Sequence, residues 1–296
     1  RSCLVGSEMC IRDRNMTEFG LLQNKGIIGF TDGVKTIQNS RLMSRIMRSA
    51  YDLGSLVIQH AEDYELAENG TVNDGIISTK LGLQGITDLA EKVIIERDLT
   101  LLEDLNCRYH IAQISSSKSV EVIKYKKNEI DFTTGVSINN LSLNENDIGD
   151  FRTFLKLSPP LRTEDDRLSL IHAINKNLID VIVSDHKPED EESKRLTFAQ
   201  AATGASGIET LLPLSLELYH NDSVKLFKII ELLTHSPAKI LNIDKGNLSI
   251  GNDADFCIVD INKPWVVKKE KMISKSKNTC IELSLIHISE PTRQDR

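Results

Sequence analysis

Short apolar runs rich in β-branched residues alternate with longer amphipathic stretches through the interior of the chain. Such alternation predicts strands interleaved with helices, an α/β fold. The first strand run, GIIGF, ends at Phe30. A helical pattern follows over SRLMSRIMRSAYDLG, with Ser40 as its N-cap and Gly54 as its stop. The second strand, SLVIQH, ends at His60 and leads into a long polar loop rich in Glu, Asn and Gly. Another helix covers Asp88 to Leu105. The third strand is RYHIAQIS, with a helix over SKSVEVIKYKK behind it, and the fourth is IDFTTGVSI. Pro159 and Pro160 forbid regular structure in SPPLR. Thr163 can cap the next helix, and Asp165 and Asp166 complement its dipole. The fifth strand is LIDVIVSDH. Two helices fit GIETLLPLSLELYH and SVKLFKIIELLTH, and Ser236 with Pro237 opens a short last one. After Gly246 the pattern changes to short strands such as DADFCIVDI.

Five strand–helix units in series predict strands four to eight of a TIM-type (β/α)8 barrel over residues 15–241. Residues 242–282 then form a smaller β segment. In such barrels the chemistry sits where strands end. Those ends carry Thr31, Asp32 and Gly33; His60; Gln113; Ser137; and Ser184, Asp185 and His186. A doubly wound sheet would also alternate strand and helix. The recurrence of polar residues at one end of successive strands favours the barrel.

Composition narrows the class. With 296 residues, 40% of them hydrophobic and 27% charged, the chain can bury a sizeable core. A net charge of −7 with interspersed signs argues against a nucleic-acid partner. No apolar run is long enough for a bilayer. The five cysteines are scattered without a CxxC pair, which suits free thiols in a reducing compartment, the cytoplasm.

The two ends stand apart. LVGSEMCIRDR (4–14) and LSLIHISEPTR (283–293) can be encoded by opposite strands of one DNA word. That word resembles a transposon-type sequencing adapter. Residues 1–14 and 283–296 are therefore expected to be non-native and are set aside from fold reasoning. Cys3, Cys10 and His287 then carry no chemistry.

SPPLRTEDDR, IDVIVSDHKP and GASGIETLLPL, in that order, resemble the dihydroorotase run N-P-P-L-R, T-D-H-A-P-H and G-x-x-G-x-E-T. Upstream, MTEFGLLQNKG, VIQHAED, NDG, LGLQGI and RYHIAQIS fall in the family's order, and SPAKILNIDKGNLSIGNDADFCIVD is similar to its tail. Within the family, INNLSLNENDIGDFRTF and KRLTFAQAATGASGIETLLP are most similar to an α-proteobacterial subgroup. The resemblance covers nearly all of the chain between its ends. It implies an amidohydrolase barrel with a composite β domain, working on carbamoyl-aspartate and dihydroorotate in pyrimidine synthesis. It also implies zinc, which polarises the amide carbonyl and lowers the pKa of a bound water. An aspartate takes that water's proton and passes it to the leaving nitrogen.

Carried over residue by residue, the resemblance makes His60 the metal histidine of strand five and Asp185 the general base of strand eight. Gln113 stands where strand six has its metal histidine, and an amide is a poor zinc ligand beside imidazole. Gly33 takes the place of the strand-four carboxylate, with Asp32 one position before it. A shift of register could still offer Asp32 to a metal. His110 reads as a packed residue on the opposite strand face. Glu189 replaces a substrate-recognising histidine, Ser158 the asparagine before Pro-Pro, and Ile138, Asn139 and Asn140 a P-H-H stretch. Ser158 and Arg162 are the substrate-binding candidates. Arg162 and Arg167 read either as carboxylate binders or as salt-bridge partners of Glu164 and Asp166. The family's His-x-His pair of strand one would lie before Asn15 and is not seen in this sequence. Three readings follow: an active dihydroorotase, a non-catalytic homologue that organises aspartate carbamoyltransferase, or another cyclic amidase such as a hydantoinase or allantoinase. SPPLR and the G-x-E-T stretch argue against the last.

Overall fold

A computed structural model describes residues 16–251 and 255–281, and beyond these the backbone of 6–7, 10–11, 15 and 285–286. Six strands form one sheet in chain order: β1 (Gly6–Ser7), β2 (Gly29–Phe30), β3 (Leu56–Gln59), β4 (Arg108–Ile114), β5 (Thr133–Ser137) and β6 (Val181–Val183). Every neighbouring pair is parallel, with Phe30 opposite Val57, Val57 opposite Tyr109 and Ile182 opposite Val136. Parallel strands covered on both faces need continuous apolar runs. Val57, Ile111, Ile114, Val136 and Ile182 supply them and are buried.

The helices follow their strands. They include α1 (Ser40–Leu53), α2 (Leu89–Leu105), α3 (Ser117–Lys126), α4 (Glu164–Asn175), α5 (Leu211–His220), α6 (Leu226–Leu233) and α7 (His235–Ile240). In α1 the buried positions Leu42, Met43, Ile46, Met47 and Ala50 form one stripe at helical spacing. Its N-cap is Asn39 rather than Ser40: the Asn39 side chain accepts from the Leu42 amide at 2.9 Å, and Ser40 is already helical. Gly54, at φ 63°, ends the helix in the left-handed region, where a residue without Cβ meets no penalty. Thr163 caps α4 in a reciprocal box with Asp166, as its sequence predicts. Helix α7 begins at His235, not at Ser236.

Other differences concern pairing partners. The long loop after His60 is ordered by parallel pairing of Val72–Asn73 with Gly85–Ile86 around a short helix, Ile76–Leu81. The fourth strand stops at Ser137, whose side chain accepts from the Asn139 amide and starts the helix Ile138–Ser142. Strand β6 covers only part of its apolar run and starts after Asp180, whose carboxylate accepts from the Thr134 amide at 2.8 Å and pairs with Lys127 at 2.6 Å. No strand forms among the described residues 255–261, and Phe256 and Ile258 are exposed. A strand needs a neighbour for its N–H and C=O groups, and the short run finds none. Of the two segments expected to be non-native, most residues lie outside the described ones. Their described backbone pairs Gly6–Ser7 with β2, Cys10–Ile11 with Asn15–Met16, and Leu285–Ile286 with Trp265–Val266.

Candidate active site

The carboxyl ends of β3 to β6 carry His60, Gln113, Ser137 and Asp185, and the last three are joined by hydrogen bonds. His60 follows β3 directly and is buried. Its backbone carbonyl accepts from Thr36 Oγ1 at 2.8 Å, and its Nε2 lies 3.3 Å from Ser158 Oγ. Burial first, and the charge of Lys187 second, push its pKa down to about 4, so the imidazole is neutral near neutral pH.

Asp185 follows β6 with φ 46°, a left-handed conformation that aspartate tolerates better than most residues. Gln113 Nε2 donates to Asp185 Oδ1 at 3.1 Å, and Ser137 Oγ donates to Oδ2 at 3.5 Å. Gln113 reaches inward because the β4–β5 register slips: Ile111 faces Thr134 while Ile114 faces Val136. Such a bulge re-aims a side chain out of the simple alternation. Burial raises the Asp185 pKa, and Gln113, Ser137, Lys187 and Asn139 offset part of that rise.

Comparison with known proteins now identifies the frame. The Dihydro-orotase-like family model matches residues 7–119. The chain is 40% identical to a dihydroorotase of Ehrlichia canis over 90% of this chain and 60% of that protein. Identity to the dihydroorotase of a Wolbachia from Drosophila simulans is 38%, over 90% of this chain and 61% of the relative. With the dihydroorotase of Syntrophus aciditrophicus it is 39%, over 89% and 62%. The chain belongs to the dihydroorotase family.

This dihydroorotase-family chain spans about three fifths of the length of those curated relatives. Among solved structures, the L-hydantoinase of Arthrobacter aurescens matches with TM-score 0.80 at 23% identity, over 94% of this chain and 65% of that one. A dihydropyrimidinase from Brevibacillus agri matches with TM-score 0.79 at 19% identity, over 90% and 62%. These likenesses show the amidohydrolase barrel fold.

Amidohydrolases of this kind generally bind zinc, and the donor set here can be tested against that ion. Catalytic zinc usually takes three protein ligands. His60 and Asp185 offer an imidazole and a carboxylate. Gln113 offers an amide already donating to Asp185, and Gly33 offers no side chain. Gly33 sits exposed at φ 66°, in a turn closed by its amide on Thr31 Oγ1, with Asp32 half-buried beside it. Among the described residues no three His, Cys, Asp or Glu side chains converge on a metal position. The residues present do not fit a zinc centre.

The remaining candidates divide sharply. Arg162 is neither a helix-end salt bridge nor a free carboxylate binder. It is 4% exposed, and its guanidinium donates to Ser115 Oγ (3.1 Å), Asn73 Oδ1 (2.8 Å) and the Ile86 carbonyl (2.6 Å). Ser115 Oγ in turn donates to buried Glu91 at 2.5 Å. Burial explains the difference, since a guanidinium taken out of water must find acceptors. Arg167 does pair with Glu164, bidentately at 2.7 and 2.6 Å. His110 is packed, with Nδ1 2.8 Å from Thr133 Oγ1. Asn140 ties its helix to the Pro160 carbonyl at 2.9 Å, and Asn139 is buried near Asp185. His186 turns away from Asp185, accepting from the Gly207 and Ile208 amides. Sequence reasoning passed over Lys187 and Glu91. Lys187 was legible, because it stands where D-H-A-P-H has alanine; Glu91 had no signal before the fold joined α2 to the end of β4.

Proposed function

We propose that the protein carrying this chain is a dihydroorotase homologue of pyrimidine synthesis that has given up zinc-dependent hydrolysis. One observation carries the reading: the Gln113 amide, at the former metal-histidine position, donates at 3.1 Å to Asp185, the former general base. The Asp185 carboxylate is engaged by that amide, and among the described residues no His, Cys, Asp or Glu cluster stands beside it to hold the metal that would activate a water. What persists is the fold, its surface and a polar site at the strand ends. A cytoplasmic role beside aspartate carbamoyltransferase, which makes carbamoyl-aspartate, fits such a protein. The identity to proteins named dihydroorotase supports the pathway. The hydantoinase likeness, under 25% identical, supports only the fold.

Two measurements on the full-length protein test this: zinc content after purification and conversion of dihydroorotate. The expected result is substoichiometric zinc, no turnover, and co-purification with aspartate carbamoyltransferase. Stoichiometric zinc, with turnover abolished by Asp185→Ala, would restore the enzyme reading, in which carbamoyl-aspartate and dihydroorotate are interconverted.

A further inference from the structure

We propose that the outer face of α1 is a protein-docking surface, on which Arg41, Arg45 and Arg48 receive an acidic helical segment of a partner protein. The inference is independent of the functional reading above.

The charge of this helix sets it apart. No Asp or Glu occurs from Gly33 to Tyr51, although the chain as a whole carries −7. At helical spacing the three arginines fall on one stripe, opposite the apolar stripe that α1 buries. All three are exposed. Among the described residues none of them makes a side-chain hydrogen bond or an ion pair. Asp52 lies on the same stripe one turn past Arg48 and is not paired with it. Other helices pair such charges within themselves: Lys92 with Glu96 at 3.0 Å, Arg167 with Glu164 at 2.6 Å and Lys228 with Glu231 at 3.0 Å.

Helix stability does not account for the pattern. Arg41 stands in the first turn and Asp52 in the last, each at the end where the helix dipole disfavours its charge. Arg45 lies four residues from Arg41 and three from Arg48, spacings at which like charges repel. Carboxylates brought from outside relieve that repulsion.

The stripe also indicates its occupant. Arg41 and Arg48 are seven positions apart, about 10 Å along the axis. Carboxylates on one face of a second helix repeat at the same spacing, and guanidinium forks bind them through paired hydrogen bonds. With a screening length of about 8 Å, the stripe acts on what touches it. The net charge of −7 repels an extended polyanion such as nucleic acid or an anionic bilayer. A short acidic segment meets the arginines without meeting the rest of the surface. Tyr51, 57% exposed at the end of the helix, adds aromatic area of the kind that anchors protein interfaces.

The test is fluorescence anisotropy of the full-length protein with two labelled helical peptides of equal composition. One carries its glutamates on a single face at the spacing of the arginines; the other spreads them around the helix. The single-face peptide is expected to bind about tenfold tighter or more. The triple variant Arg41→Gln/Arg45→Gln/Arg48→Gln should lose that preference, while its melting temperature stays level or rises because the like-charge repulsion is gone. Equal affinity of wild type for the two peptides, or no binding of either, would overturn the proposal. So would tighter binding to a DNA oligonucleotide or to phosphatidylglycerol vesicles than to the single-face peptide. A clear fall in the melting temperature of the triple variant would overturn it too, by assigning the arginines to the fold.

Discussion

Replacing Arg162 with methionine separates a structural anchor from a substrate binder. The guanidinium closes a buried relay: it donates to Ser115 Oγ, Ser115 Oγ donates to Glu91, and Glu91 also accepts from the Ser115 and Ser116 amides. It further joins Asn73 and Ile86 of the ordered loop to the SPPLR segment. Methionine keeps much of the volume and removes every donor. The Asn73 and Ile86 oxygens lose their partners, and the Ser115 hydroxyl that donates to Glu91 loses the guanidinium that fixes it. Removing one member of a buried charged network typically costs about 3–5 kcal/mol, a large part of the roughly 5–15 kcal/mol that holds a domain together. At 3 kcal/mol the melting temperature should fall by roughly 6–12 °C. Urea denaturation and thermal melting of the full-length protein measure the loss. The double variant Arg162→Met/Glu91→Gln should cost less than the sum of its parts, since the two residues share Ser115. A loss under about 1 kcal/mol would refute the anchor argument, most decisively if ligand affinity collapsed instead.

Four further outcomes follow from the same structure. Lys194 is depressed to about 8 from 10.5, chiefly by burial, so the unfolded chain holds more protons between those values. Its stabilising contribution should be complete above pH 10.5 and lost as pH falls to 8; melts of wild type and Lys194→Met across that window should differ in slope. Gln113→His, which returns an imidazole beside Asp185, should raise zinc content measured by mass spectrometry, whereas an unchanged content would show that the Gly33 side of the site is limiting. The isolated 15–282 piece should show no cooperative melt, because an open sheet and the exposed Phe227, Phe256 and Ile258 leave apolar surface without cover. Reading the gene directly from genomic DNA should replace residues 1–14 and 283–296 with unrelated sequence; recovery of the same ends would refute their adapter origin.

Much of the barrel is legible along the chain, and the reason is local. Buried parallel strands need uninterrupted apolar runs, and GIIGF, SLVIQH, RYHIAQIS and LIDVIVSDH announce them without knowledge of their neighbours. Thr163 with Asp166 and Gly54 likewise mark helix ends through chemistry confined to a few residues. His60 and Asp185 could be named from motif and strand end alone. What each side chain does with its neighbours was decided by the tertiary structure. The bulge that turns Gln113 onto Asp185 depends on the register of β4 against β5, which no pattern within either strand encodes. Arg162 carries the same charge in the sequence whether it faces substrate or core; only the meeting of α2, the ordered loop and SPPLR gives it its buried acceptors. The tail run DADFCIVDI shows the converse, for its β pattern is clear but a strand exists only where another strand completes its hydrogen bonds.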